Sequence, residues 1–327
     1  MKPVPAEVLH TLARSFAFDP TALQQIGGGR IDSDGVVYAA GEENRKRVLK
    51  ITHHDRSETH ALPFALERTR FFAYLGANGV PVTNPQPSAS GKLIESCLVG
   101  DDHFLAYNYP FLRGTPLKAD LWDDALLQSW GALIGKTHRL TKDYEMDQTL
   151  ATAMNWEFEV ASFVARCPDE EIKEVWWMLR NEIRSVGQSK DIYGMVHNDP
   201  HMENLLLDEG RLSLIDLDVS LGHFFACDLA IAIQSVLFTK SGGMSEPLRD
   251  QEALDYFVTQ LLTGYRRENT LSKVMTAQIN TFIKYRRVLL FTVMYSWLLT
   301  KPELFSSWKD MIMTQPTLLN RVLKKFR

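Results

Sequence analysis

The sequence predicts an α+β chain of two lobes, a small N-terminal antiparallel-sheet lobe followed by a larger, mainly helical C-terminal lobe. Three observations predict it. Short apolar runs bounded by turn residues cluster before residue 110, as strands do. After it, apolar positions recur at helical spacing almost to the end. The helical part is broken once, between Met195 and Asp218, by two short apolar runs around Asp208-Glu209-Gly210. The irregular segment Asn108 to Gly114 is the expected junction, giving lobes of residues 1–108 and 109–327. A chain of 327 residues has room for both.

In the first lobe, Val4, Val8, Leu9, Leu12 and Phe16 space out a helix over 4–18. Gly27-Gly28-Gly29 then leads into two strands in hairpin succession, Val36 to Ala40 and Arg47 to Thr52, with a turn over Gly41 to Arg45. A helix is expected from about Leu62, since Pro63 suits a first turn where its missing N–H costs nothing. Leu66, Phe71, Phe72 and Leu75 give it an apolar stripe, and Gly76 to Pro81 ends it. Further strands are expected over Leu93 to Val99 and Phe104 to Tyr109. In the second lobe the expected helices are Leu121 to Leu140, Glu157 to Val164, Asp169 to Val186 and, from Leu229, the remainder.

Hydrophobic residues at 45% and charged residues at 23% permit a sizeable core and argue against long disorder. A net charge of −4 argues against a general nucleic-acid binder. Cys97, Cys167 and Cys227 are far apart and lack metal spacing, so reduced, unpaired thiols in a cytoplasmic protein are expected. Met1 to Phe18 lacks the apolar core of a signal peptide, and Val288 to Leu299 is too short to span a bilayer. No membrane partner is expected, and the assembly is read as a monomer or a homodimer.

The chemistry is concentrated in Val196-His197-Asn198-Asp199-Pro200-His201-Met202-Glu203-Asn204 and the segment running to Ile215-Asp216-Leu217-Asp218. Leu205 to Leu207 and Leu212 to Ile215 read as a hairpin, whose open ends carry Asn204 and Asp216, with Asp199 in the loop before. Three oxygen-bearing side chains are therefore expected to converge. Such a set suits Mg²⁺, a hard cation held by one or two carboxylates plus phosphate oxygens. Phosphoryl transfer needs positioning, charge neutralisation and a group that takes the nucleophile's proton.

The pattern His-x-Asp-x-x-x-x-Asn followed by Ile-Asp-x-Asp resembles the aminoglycoside phosphotransferase and choline kinase superfamily, small-molecule kinases with a protein-kinase-like fold. Their loop usually reads His-Gly-Asp, where this chain has Asn198. Asp216-Leu217-Asp218 replaces the Asp-Phe-Gly of protein kinases, and no Ala-Pro-Glu segment follows, which disfavours a protein kinase. The resemblance implies ATP and Mg²⁺ as cofactors. Asp199 is implied as the base, Asn204 and Asp216 as metal ligands, and Lys50 as the lysine gripping the phosphates, with Glu67 as its helix partner and Glu58 as the rival. Gly28 is expected near phosphate and Tyr107 and Tyr109 at the adenine hinge. Asp218, His201 and Glu203 are candidates for substrate contact, and His197 for a structural role. Gly131, Gly135 and His138 resemble the family's glycine-and-histidine helix, and Asp228 its structural aspartate.

The expected function is therefore transfer of the ATP γ-phosphoryl group to a hydroxyl of a small metabolite, such as an amino alcohol, a sugar or homoserine. Aminoglycoside inactivation is the alternative, for which Asp120, Asp123, Asp124, Asp169, Glu170 and Glu171 would attract a polycation. A nucleotide-binding scaffold without turnover is the reading from another class, disfavoured by the intact Lys, Asp, Asn and Asp set. Trp156, Trp176, Trp177 and Trp297 read as core, with an aromatic wall for a cation as the other reading. Tyr285-Arg286-Arg287 reads as a solvated helix face or as one approaching the pocket.

Overall fold

In the computed structural model, which describes residues 3–28, 35–42, 45–118, 122–240, 251–314 and 319–326, the β-rich runs pair into one antiparallel sheet. After helix α1 (Ala6–Ser15) come strands β1 (Gln24–Gly28), β2 (Gly35–Ala40) and β3 (Arg47–Asp55), helix α2 (Ala61–Ala77), and strands β4 (Glu95–Val99) and β5 (Asp102–Pro110). The sheet order is β1-β2-β3-β5-β4. Successive side chains on a strand point to opposite faces. On β3, Leu49 and Ile51 therefore share a face and join Phe104, Ala106 and the Val8, Leu12 and Phe16 stripe of α1 in one buried cluster. Lys50 lies between them on the other face, directly across from Tyr107 on β5.

The glycine-rich lead-in is partly strand, since β1 runs through Gly28. Gly28 has a φ of +87°, and a Cβ there would lie 2.2 Å from the Gly35 carbonyl oxygen, so only glycine lets the two strands approach. Gly29, Arg30 and Asp32 lie outside the described residues, as do Asp120 and the expected helix start at Leu121.

The chain divides into two compact units, Met1–Arg113 with Ile215–Asp218, and Gly114–Leu214 with Val219–Arg327. The junction thus falls later than the expected Asn108. The reason is that β5 keeps pairing with β3 as far as Pro110, and the Phe111 N–H then donates to the Lys46 carbonyl. A second correction concerns Asp216 and Asp218, which belong to the first unit although the helical lobe surrounds them in sequence.

The second unit holds strand β6 (Thr115–Pro116), helices α3 (Asp124–Thr141), α4 (Trp156–Arg166) and α5 (Glu170–Ser185), strands β7 (Tyr193–Val196), β8 (Leu205–Asp208), β9 (Arg211–Leu214) and β10 (Leu221–Phe224), and helices α6 (Phe225–Lys240), α7 (Gln251–Glu268), α8 (Lys273–Val293), α9 (Tyr295–Leu298) and α10 (Pro302–Met313). Side-chain caps set four of the helix starts, Asp123 on α3, Asn155 on α4, Asp169 on α5 and Ser272 on α8. Helix α6 is buried without exception from Phe225 to Gln234, as an apolar surface all round requires. β10 was not expected. It is four residues long and pairs with β7, and its Leu221-Gly222-His223-Phe224 has no alternation because every residue is buried. Trp156 and Trp176 are core, stacked edge-on at 6.0 Å, while Trp177 is 54% exposed. Among the described residues no helix is long and apolar enough to cross a membrane.

Helices α3 and α7 touch backbone to backbone. A Cβ on Gly131 would lie 1.8 Å from the Leu261 carbonyl oxygen, and one on Gly264 would lie 1.9 Å from that of Gln128. Gly131 is therefore a packing requirement that helps bring His138, two turns further on, into the core. Gly131→Ala should force the helices apart and destabilise the protein by about 3 kcal/mol, the upper range for overpacking. Urea denaturation of the variant against wild type measures it.

Candidate active site

The first unit assembles a lysine and two carboxylates. Lys50 Nζ lies 3.0 Å from Asp216 Oδ1 and 2.6 Å from Asp218 Oδ2. Burial disfavours the Lys50 ammonium, but Asp218 and Asp216 outweigh it and hold its pKa above the ordinary lysine value. Burial likewise raises the Asp218 carboxyl, but the Lys50 charge and hydrogen bonds from Lys50 and Tyr107 bring it below the usual range. Asp216 adopts a φ of +68°, a left-handed conformation that Asp tolerates better than most residues. Its Oδ1 accepts from Lys50 and from the Asp218 N–H, which pins the Asp-Leu-Asp turn.

Lys50 makes ion pairs with Asp216 and Asp218, carboxylates that the sequence did not name as its partners. Glu67 is buried on α2, and Glu58 lies before that helix, paired with His54. Tyr107 is not at a hinge. It sits mid-strand opposite Lys50, and its hydroxyl donates to Asp218 Oδ1 at 2.6 Å. Tyr109 packs beside it at 5.9 Å between ring centroids, and burial raises its pKa. Asp218 is accordingly engaged by Lys50 and Tyr107, in the same unit as the lysine.

The second unit assembles the loop between β7 and β8. Its hairpin is as expected, with Leu205 opposite Leu214 and a turn whose Glu209 and Gly210 have φ values of 46° and 80°. Ahead of it, the backbone N–H groups of His197 and Asn198 donate to the two oxygens of Asp228, at 3.2 and 2.9 Å. The same carboxylate accepts from His138 Nε2 at 3.1 Å, and His138 Nδ1 accepts from the Tyr265 hydroxyl at 3.1 Å. His138 stacks on Phe225 at 4.5 Å. His197 is a structural residue, buried, its Nδ1 accepting from the Asp199 N–H.

Asn198 has a φ of +68°, which explains why glycine is usual at this position and why Asn serves in its place. The side chain adds what glycine lacks, since its Nδ2 donates to the Glu159 carboxylate at 3.0 Å and to the Val219 carbonyl at 3.1 Å. Helix α4 is thereby tied to the loop.

Asp199 lies at the centre of this loop. Asn204 Nδ2 donates to its carbonyl at 2.9 Å and to its Oδ2 at 3.2 Å, and His201 Nε2 is 3.3 Å from Oδ2. Arg286 of α8 makes an ion pair with Oδ1. Burial raises the Asp199 carboxyl, but Arg286, and then His201, outweigh it and hold the group far below the usual carboxylate range. His201 is shifted the other way, for burial disfavours its charge but Asp199 raises its pKa. Glu203 is exposed on the same loop. Arg286 was expected only within Tyr285-Arg286-Arg287, read as a solvated helix face or as one approaching the pocket. Sequence could not choose between the two, because only the crossing of α8 behind the loop gives the arginine a partner. Its neighbour Arg287 turns the other way and donates to the Met311 carbonyl near the end of α10.

Each unit leaves oxygen of the kind a hard cation takes. In the second unit, Asn204 uses its amide nitrogen on Asp199, and its carbonyl oxygen has no partner among the described residues. In the first, Asp216 uses only Oδ1 among the described residues. Among the described residues no cluster of three His, Cys, Asp or Glu side chains forms a metal site. The acids considered for a polycation are engaged elsewhere. Asp123 and Asp169 cap helices, Asp124 accepts from Tyr256, Glu170 pairs with Lys173 and Glu171 with Lys309.

A family model described as phosphotransferase enzyme family (APH) matches residues 22–268. The chain belongs to that family. As a member it is a phosphotransferase that acts on a hydroxyl group of a small molecule. The amicoumacin kinase of Bacillus subtilis (strain 168) is 28% identical over 269 residues, 81% of this chain and 78% of the relative. The solved structure of an amicoumacin kinase in complex with AMP-PNP, Ca²⁺ and Ami is 26% identical with a TM-score of 0.79, covering 98% of this chain and 93% of that one. A microcompartment-associated aminopropanol kinase shares the fold, with a TM-score of 0.68 at 16% identity and 99% coverage of both chains.

Asp228 holds two backbone donors and a histidine in a site that excludes water. Asp228→Ala leaves all three without an acceptor and should cost about 3–5 kcal/mol, the scale for breaking a buried pair. Thermal and urea unfolding report it, and the loss should exceed that of Asp228→Asn, which keeps one acceptor oxygen.

Proposed function

We propose that this phosphotransferase uses Mg²⁺ and ATP to phosphorylate a hydroxyl of a small metabolite, an amino alcohol, a sugar or a homoserine-like compound, with Asp199 as the base. The observation that carries this reading is the pairing of Asn204 with Asp199, which orients the carboxylate and leaves the Asn204 carbonyl oxygen beside it for a cation. In the reaction the acceptor oxygen bonds to the γ-phosphorus as the bond to the β-phosphate oxygen breaks, and the hydroxyl proton passes to an Asp199 carboxylate oxygen. Lys50 supplies a fixed positive charge for the α- and β-phosphates, kept ionised by Asp216 and Asp218. Asn204 and Asp216 are the proposed metal ligands, and the bound cation would neutralise charge on the phosphate oxygens. The amicoumacin kinase solved with AMP-PNP and Ca²⁺ supports the nucleotide and a divalent ion. Gly28, Tyr107, Tyr109 and Glu67 belong to the same nucleotide-binding unit in this reading.

A second reading, phosphorylation of a hydroxylated antibiotic, is favoured by the likeness to amicoumacin kinases over most of the chain. An acceptor panel containing amino alcohols, sugars, homoserine and amicoumacin separates the two.

Asp199→Ala should lower kcat by roughly 10²–10⁴ and leave nucleotide binding unchanged, the scale of a general base. Near-wild-type turnover in that variant, assayed by ADP release, overturns the assignment. Asp216→Ala should abolish the dependence of ATP affinity on magnesium, read by calorimetry with and without the ion. An unaltered dependence would remove Asp216 from the metal site.

A further inference from the structure

Asp199 presents both carboxylate oxygens already engaged, Oδ1 by Arg286 and Oδ2 by His201 and Asn204. An acceptor hydroxyl must take one of these oxygens. Asn204 is anchored by a second hydrogen bond to the Asp199 carbonyl, and His201 is held by the Glu203 N–H. Arg286 has no such second anchor. Its ion pair with Asp199 is its one polar contact among the described residues, made through a single Nη2 of a group with five N–H donors. It is therefore the partner that gives way. The side chains of Arg286, Asp199 and His201 are 14%, 22% and 26% exposed, so the three open together to solvent at the loop.

Moving a mostly buried guanidinium off its carboxylate leaves it without a counter-charge, which is costly unless the incoming molecule brings one. A cationic acceptor would meet Arg286 and His201 and be repelled. An acceptor with a carboxylate or phosphate close to its hydroxyl would take over the guanidinium, bidentately, while its hydroxyl takes the vacated Asp199 oxygen. Of the carboxylates nearby, Glu159 accepts from the Asn198 amide and Glu203 lies exposed on the His201 side, away from the Arg286 pairing with Oδ1, and the described acids considered for a polycation lie in helix caps and ion pairs elsewhere.

We propose that Arg286 is a specificity-determining residue that receives an anionic group of the acceptor, exchanging Asp199 for it as the acceptor binds. This rests on the assignment of Asp199 as the base, and it narrows the acceptor class to hydroxy acids and hydroxylated amino acids or phosphates.

The test uses matched pairs that differ by one carboxylate: L-serine with ethanolamine, L-homoserine with propanolamine, and D-glycerate with ethylene glycol. Binding to wild type, Arg286→Gln, Arg286→Lys and Asp199→Ala is measured by calorimetry in the presence of AMP-PNP, and turnover by ADP release. The acid of at least one pair should bind wild type roughly ten- to a hundredfold more tightly than its neutral or cationic counterpart. Arg286→Gln should abolish that preference through KM, and Arg286→Lys should restore part of it at an unchanged melting temperature. Equal or weaker binding of every acid, including no binding of any, overturns the proposal, and so does a preference that survives Arg286→Gln. Asp199→Ala separates the two claims. Anion preference kept with turnover lost supports both, whereas turnover kept in Asp199→Ala overturns the base assignment whatever Arg286 does.

Discussion

The Asp228 carboxylate is the point from which the loop around Asp199 is built. It stands in the first turn of α6, a helix with no polar face, and takes two backbone N–H groups of the loop on one side and the His138 ring on the other. The hydrogen bonds continue through Tyr265 of α7 to Asn269, just past the end of that helix. Each group in this chain is buried and each needs its neighbour, since an unmatched donor or acceptor away from water costs more than a made hydrogen bond returns. The loop conformation therefore depends on three helices at once. The glycines of α3 are part of the same device, for without them α7 would stand too far off for Tyr265 to reach His138.

Of the four described non-glycine residues with positive φ, two lie where the side chains of interest are. Asn198 and Asp216 both hold left-handed backbone conformations, each a residue type that tolerates the region and each with a side chain that hydrogen-bonds locally or to an adjacent helix. In both cases the twist turns a neighbouring carboxylate group toward its partners. Asn198 in place of glycine thus trades backbone freedom for a tether to α4, a helix that glycine would leave unconnected to the loop.

The electrostatics of the two units are alike in form. In each, a carboxylate whose ionisation burial alone disfavours is kept ionised by a basic side chain on a rigid element, Lys50 on β3 for Asp218, Arg286 on α8 for Asp199. A lysine in a sheet suits a site for phosphates, where a compact charge suffices. An arginine, with its planar fork, suits a site where a carboxylate is exchanged for another anion of similar shape.

The sequence alone determined the α+β class and the strand and helix order apart from the short β6 and β10, and it singled out Asp199, Asn204, Asp216 and Lys50 as candidates, because these rest on local signals: period-two and helical apolar spacing, turn residues, and a loop motif contiguous along the chain. It also marked Asp228 and the Gly131-Gly135-His138 helix through their order. The tertiary structure alone decided the rest. Lys50 takes Asp216 and Asp218 as partners, since which carboxylates meet an ammonium depends on where a distant turn returns to the sheet. Tyr107 points at Asp218 because β3 and β5 stay in register past the expected hinge, and register is a property of two strands. β10 was hidden because full burial erases the alternation that identifies a strand. Arg286 acquired meaning only when α8 crossed behind the loop, for the pairing of residues 87 positions apart leaves no trace in either local pattern.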